Sequence, residues 1–155
     1  MVASIPKSVS EIIVVDNGSQ DNTAIIANDQ GAIVLEEKRK GYGFACLKGM
    51  SYLENSSPEI VVFLDGDYSD YPENLDLIVD PILKGEVVFS LGSRIKTLRE
   101  KGSMTSSQIF GNALSCFLMR ILYNSKFTDL GPFRAIRWDT LQSFGMKDKT
   151  FGWTI

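Results

Sequence analysis

Histidine does not occur among the 155 residues. Its absence excludes a Ser-His-Asp triad, a Cys-His nucleophile pair and a His-rich zinc site. Cysteine occurs only twice, at Cys46 and Cys116. Two thiols so far apart, each in a helix-like segment, are expected as free buried cysteines and not as a disulfide framework. No apolar run approaches the ~20 residues of a membrane span. The opening "MVASIPKSVS" lacks the apolar stretch of a secretory signal. The net charge of −3 gives no large excess of either sign, so generic attraction to nucleic acid or to an anionic membrane is not expected. A cytoplasmic location is the resulting expectation. What remains is ordinary globular composition, 44% hydrophobic and 23% charged, at the length of one domain.

Apolar runs and helix-like stretches alternate along that domain. "SEIIVVD" is a β-branched run ending in an acid and reads as a strand. "NGSQDNT" is a turn cluster with helix caps, and "AIIANDQG" a short helix closed by Gly31. "AIVLEE" is a second strand. "GYGFACLKGMSYLEN" places Phe44, Leu47, Met50 and Leu53 at helical spacing. "EIVVFLD" is the most apolar strand. Pro72 opens a helix to about Leu83 with Leu75, Ile78, Val79 and Ile82 on one face. "EVVFSLGSR" is a fourth strand. The stretch 105–123 is the longest helix. Its apolar positions Ile109, Phe110, Ala113, Leu114, Phe117, Leu118, Ile121 and Leu122 mark one face, expected to pack into the core, with a lipid-facing surface as the less favoured alternative. "GPFRAIRW" closes the strand series, followed by a short helix in "DTLQSFG". This alternation predicts an α/β domain with a mainly parallel sheet and flanking helices, with ligands beyond the carboxyl ends of the strands.

Acids fall in that position. Asp65 and Asp67, separated only by Gly66, directly follow a buried strand. Paired carboxylates on such a turn suit Mg²⁺ or Mn²⁺, which prefer oxygen ligands and are often shared with substrate phosphates. Asp-Gly is also common turn chemistry. Asp16 and Asn17 end the first strand and offer an acceptor and an amide to the edge of a base, or else form an Asn-Gly turn and helix cap. Gly41 and Gly43 permit close backbone approach beside Lys38, Arg39 and Lys40. A third glycine at dinucleotide spacing is missing, which argues against NAD. Arg94 follows the fourth strand, and its guanidinium fork suits phosphate. Arg134 and Arg137 flank an apolar pair, and one of them is available to Asp129 as an ion-pair partner.

In order, "IIVVDNGSQDNT", "GYGFACLKG", "FLDGDYSDYPENL", "GSR" and "DLGPFRAIRWDTLQSFGMKDKTFGWTI" resemble the motifs of family 2 glycosyltransferases of the GT-A fold. The branch near dolichyl-phosphate mannose and glucose synthases is the most similar. The resemblance implies a Rossmann-like domain that takes a UDP- or GDP-linked sugar donor. It places Asp16 and Asn17 at the base, with Gly41, Gly43 and Gly66 along the donor. Asp65 and Asp67 would hold Mg²⁺ or Mn²⁺ on the diphosphate. Arg94 and Arg134 would face phosphate, and Asp129 and Arg134 would lie at the reacting centre. A polyprenyl-phosphate acceptor, already ionised, would need no strong general base, and the inner face of the membrane would then be the place of work.

Two departures from the family pattern shape the expectation further. A first strand with a Pro-x-x-Asn-Glu type motif, its following helix, and an acid after "FGWT-hydrophobic" are family features that this sequence does not contain. The chain is therefore expected to be clipped at both ends. An exposed sheet edge beside "EIIVV" would invite self-association, and transfer would stay near background. A non-catalytic nucleotide-binding remnant is thus the alternative function. "FLDGDYS" also fits the letters of haloacid dehalogenase-type phosphatases. That motif normally lies on the first strand, whereas two strands precede it here, and no later acidic pair is visible.

Overall fold

The structure is a computed structural model that describes residues 1–93, 105–149 and 153. In chain order the elements are β1 (Ile13–Asp16), α1 (Thr23–Asp29), β2 (Ile33–Glu36), α2 (Tyr42–Leu53), β3 (Ile60–Phe63), α3 (Leu75–Leu83), β4 (Phe89–Leu91), α4 (Ser106–Tyr123), β5 (Arg134–Arg137) and α5 (Trp138–Ser143). Each coincides with a stretch that periodicity marks. Short 3₁₀ turns at Val2–Ser4 and Pro72–Asn74 complete the set.

Two ladders carry the strands. β1 and β2 pair in parallel, with Asp16 opposite Glu36 at one end. β5 lies between β3 and β4 and runs antiparallel to both. The parallel expectation therefore holds for β1 with β2 and for the shared direction of β3 and β4, while β5 is the reversed strand. A single reversed strand is common in α/β sheets. The reversal sets a register that matters for the site: Arg134, the first residue of β5, sits opposite both Phe63 and Leu91, the last residues of β3 and β4. Gly92 N–H donates to the Phe133 carbonyl at 2.8 Å and extends the ladder toward the same rim.

Strand alternation divides the core. On one face of the three-stranded unit, Leu75, Ile78 and Ile82 of α3 pack with Phe133, Ala135, Ile60, Val62 and Leu64. On the other, Val61 and Ile136 pack with Trp138 and Leu141, against Met50 and Leu53 of α2. Side chains two apart share a face, as the pleat requires. A third cluster joins Val2, Ala27 and Ala32 to Ile12, Val14 and Val34 beside β1 and β2. α2 bridges the strand groups, since Gly49 also lies against Val15, where a methyl group would stand 3.5 Å from Cγ2.

The longest helix does not meet its expectation. α4 was predicted to bury its apolar stripe, yet Phe110, Phe117, Ile121 and Leu122 are exposed and Cys116 is its buried residue. The side turned inward is Asn112, Cys116 and Met119. Asn112 fixes that orientation, because its Oδ1 accepts the Leu130 N–H at 3.0 Å. Among the described residues no helix is long and apolar enough to cross a membrane. Both cysteines are free, Cys116 buried and Cys46 half-buried.

Candidate functional site

The site is built at the carboxyl ends of β1 and β3, and α2 begins between them. Asn17 is the hub on the β1 side. Its Nδ2 donates to the Glu37 carbonyl at 2.8 Å and to the Arg39 carbonyl at 2.7 Å. Its Oδ1 accepts the Gly41 N–H at 2.9 Å. Both amide hydrogens are thereby committed to the loop after β2, so Asn17 shapes that loop and has only acceptor capacity left for a ligand. Asp16 Oδ1 accepts the Ser19 N–H at 2.9 Å, and bonding to Ser19 holds its carboxyl below the usual range.

The same loop carries a buried acid that sequence patterning did not single out. Glu37 accepts the Arg39 N–H at 2.8 Å and a two-pronged guanidinium contact at 2.9 and 2.7 Å. Those bonds hold its carboxyl down to about 2. Arg39 also lies over the Phe44 ring, 4.4 Å from its centroid, a cation–π arrangement. Of the basic trio before α2, Arg39 is thus tied into the loop.

Gly41 and Gly43 have structural reasons of their own. Gly41 adopts φ 140°, and a Cβ there would approach the Lys149 carbonyl to 2.9 Å. Gly43 is buried in the first turn of α2. Gly66 is different. Its φ is not positive, and a Cβ would meet nothing within 4 Å. Gly66 is exposed, and neither backbone strain nor packing calls for a glycine there.

Asp65 is half-buried and Asp67 exposed. Asp67 Oδ1 accepts the Ser69 N–H at 2.9 Å, and bonding to Ser69 holds its carboxyl below the ordinary value. Tyr68, between them, takes a left-handed φ of 64° and meets Ser4 Oγ through its hydroxyl at 2.7 Å. Among the described residues no group of three or more His, Cys, Asp or Glu side chains gathers as a metal site. A divalent ion could therefore draw two carboxylates from this turn and its remaining ligands from phosphate and water, the usual habit of Mg²⁺. The donor set and the room at Gly66 fit such an ion.

Register brings Arg134 to this rim. It is buried, donates from Nε to the Pro132 carbonyl at 3.2 Å and from Nη1 to the Trp153 carbonyl, and lies 5.9 Å from the Phe63 ring centroid. Tyr42, inside the Gly-x-Gly, links the two halves. Burial pushes its hydroxyl up to about 12, with Asp65 adding to the shift and Arg134 opposing it. Cys46 is pushed to about 11, by burial first, and feels the same two charges. Sequence reasoning missed Tyr42, whose signal was its place between two glycines at a helix start. Asp129 is buried against α4, where its charge adds to the effect of burial in raising the Cys116 thiol. Arg137 pairs with Asp139 at 2.9 Å. Arg94 lies outside the described residues.

A rim with paired acids after one strand, a glycine-led helix and an inward arginine matches a known family over most of the chain: the Glycosyl transferase family 2 model covers residues 2–144. The chain belongs to glycosyl transferase family 2. The phosphatase reading is set aside by that membership. Among curated relatives, the UDP-N-acetylglucosamine–dolichyl-phosphate N-acetylglucosaminyltransferase of Methanococcus voltae is 27% identical over 136 residues, 76% of this chain and 54% of that protein. Among solved structures, glucosyl-3-phosphoglycerate synthase from Mycobacterium tuberculosis with Mn²⁺, UDP-glucose and phosphoglyceric acid is 26% identical. It superposes with a TM-score of 0.64, covering 87% of this chain and 48% of that one. The same synthase with Mg²⁺ and UDP gives 25% identity and a TM-score of 0.65, over 92% of this chain and 52% of that one. The chain spans about half the length of these relatives. The GT-A expectation is borne out at the level of family and fold.

Proposed function

We propose that this domain binds a nucleoside-diphosphate sugar with Mg²⁺ or Mn²⁺ and serves its transfer to an acceptor. The observation that carries the reading is the Asp65-Gly66-Asp67 turn, with open space at Gly66 and Arg134 brought to the same rim by β5. Asp65 and Asp67 would hold the ion, which would supply positive charge to offset the negative charge developing on the donor diphosphate. Asp16 and the remaining acceptor capacity of Asn17 lie toward the base. The backbone at Gly41 and Gly43 borders the donor, and Arg134 faces phosphate; Arg94, outside the described residues, is assigned to phosphate by its chemistry alone. Asp129 and Arg134 belong to the acceptor side. In the transfer, the bond from the anomeric carbon to the donor phosphate oxygen breaks, and an acceptor oxygen forms the new one.

We further assign the acceptor to the polyprenyl phosphates. A cavity of about 520 Å³ supports this, with Phe63, Phe89, Leu91, Phe127 and Met146 in its walls and Arg134 as its charged member. Such a phosphate attacks without losing a proton, which suits a chain lacking histidine. The Methanococcus voltae relative is named for a dolichyl-phosphate acceptor, and the inner face of a membrane would be the meeting place. A second reading is binding without turnover. It is favoured by the ladder gap, since β1 pairs only with β2 and β3 only with β5 among the described residues.

Calorimetric titration with UDP and GDP, with and without Mn²⁺, tests the first claim. Mn²⁺ should strengthen binding at least tenfold in the wild type and not in Asp67→Asn. Equal, metal-independent binding by both proteins would sink the reading. Release of UDP or GDP in the presence of a polyprenyl phosphate separates transfer from binding alone.

A further inference from the structure

α4 is a complete helix with the wrong side out. Its start is a capping box: Thr105 Oγ1 accepts the Gln108 N–H at 3.3 Å, and Gln108 Oε1 accepts the Thr105 N–H at 2.8 Å. Its end turns at Asn124, in the left-handed region at φ 52°. Between these caps the body of the protein is met by Asn112, Cys116 and Met119, while the opposite face carries Phe110, Leu114, Phe117, Leu118, Ile121 and Leu122, all exposed.

We infer that this face of α4 is the contact surface for a second copy of the chain, helix against helix about a two-fold axis. Size is the first argument. Six large apolar side chains, at ~150–250 Å² for aromatics and somewhat less for aliphatics, leave on the order of several hundred Å² open, close to the ~800 Å² per partner of a standard interface. A patch that meets its own copy doubles this area, because a two-fold contact uses the same residues on both sides. Charge is the second argument. Arg120 is the one charged residue among the 18 of α4, so the net charge of −3 raises no like-charge barrier there. A membrane-surface helix would instead need a basic polar face, which α4 does not have. Shape is the third. Ser107, Gly111 and Ser115 follow one another at four-residue steps beside Leu114 and Leu118, and a Cβ at Gly111 would meet nothing within 4 Å. That row is a groove of small residues bordered by leucines, the form into which the ridge of a neighbouring helix fits.

Sedimentation velocity across the micromolar range tests the inference on the full chain. The wild type should be a concentration-dependent dimer. Phe117→Glu with Leu118→Glu should be monomeric with an unchanged circular dichroism spectrum. Gly111→Leu, which fills the groove from a site with free space, should weaken the dimer at least tenfold while the fold survives. A wild type that stays monomeric overturns the proposal. So does association that survives both α4 variants and disappears with Ile13→Lys on the β1 edge, which would make the sheet edge the interface. Flotation of monomeric wild type with neutral phosphatidylcholine vesicles, lost in the double variant, would likewise overturn it in favour of lipid.

Discussion

The β1–β2 half and the β3–β5–β4 half of this domain each end in an acid, and they hold it differently. On the first side the rim is knit by hydrogen bonds: Asn17 clasps the backbone of Glu37, Arg39 and Gly41, and Glu37 clasps Arg39. On the second side the rim is carried by apolar packing on both faces of the sheet, and its acids flank an exposed glycine with no side chain of its own. The first half therefore gives a fixed shape, and the second gives a place for charge to be matched by something that arrives. The difference explains why glycine has two meanings here. Gly41 is required by the fold, whereas Gly66 is required by nothing in it.

The packed half should show the largest response. Ile82→Ala, at a site 3% exposed, is expected to cost about 3 kcal/mol by urea denaturation. Asn17→Ala should come next, at about 2 kcal/mol, since three backbone partners lose their bonds in a half-buried place. Nucleotide affinity should fall with it, because the loop before α2 loses its clasp. If affinity is lost while stability is untouched, Asn17 is a ligand-reading residue and the contrast between halves breaks. Gly41→Ala should destabilise by about 1–3 kcal/mol through its backbone angle and the nearby Lys149 carbonyl. Gly66→Ala should change stability by less than about 0.5 kcal/mol and yet weaken Mn²⁺-dependent UDP binding. A Gly66 variant that unfolds would refute the reading of that open space.

The smallest effect is in acid. Glu37 is held down to about 2 from its ordinary 4.5. A lowered carboxyl adds stability above the unfolded value, so this contribution is present above about pH 4.5 and lost as pH falls toward 2. Thermal melts of Glu37→Gln should show a flatter slope than wild type across that window. In the matching pair of the other half, Arg137 with Asp139, the acid is far more exposed, 65% against 7% for Glu37, and added salt should erase the effect of Asp139→Asn more readily than that of Glu37→Gln.

Local patterning was enough to find the strands, the helices and the acids at strand ends. β-branched runs ended at Asp16 and Asp65 because the chain leaves the core there. Strand direction was not legible. Nothing in "RAIR" distinguishes a parallel from a reversed neighbour, and the choice follows from long-range pairing with both β3 and β4. The rotation of α4 was also hidden. Periodicity shows that a helix has an apolar face but not which way it turns, and here Asn112 decides that by bonding Leu130. The role of Asn17 was concealed for a similar reason, since its partners lie on a loop twenty residues away. The resemblance named Arg134, but the register that brings it to the rim comes from the reversal, which local patterning could not show.

That reversal also makes β5 intolerant of changes in length. Ala135 is wholly enclosed beneath α3, and Ile136 faces α5 and α2. One residue inserted within 134–137 would exchange the two faces. An isoleucine would then press where only a methyl group fits, and the guanidinium would leave the rim. The turn after β1, which is exposed from Gly18 to Asn22, has no such constraint. Natural drift in this domain should therefore accumulate gaps in that turn and exclude them from the five or so residues around Ala135. An insertion scan read out by soluble expression would trace the same map.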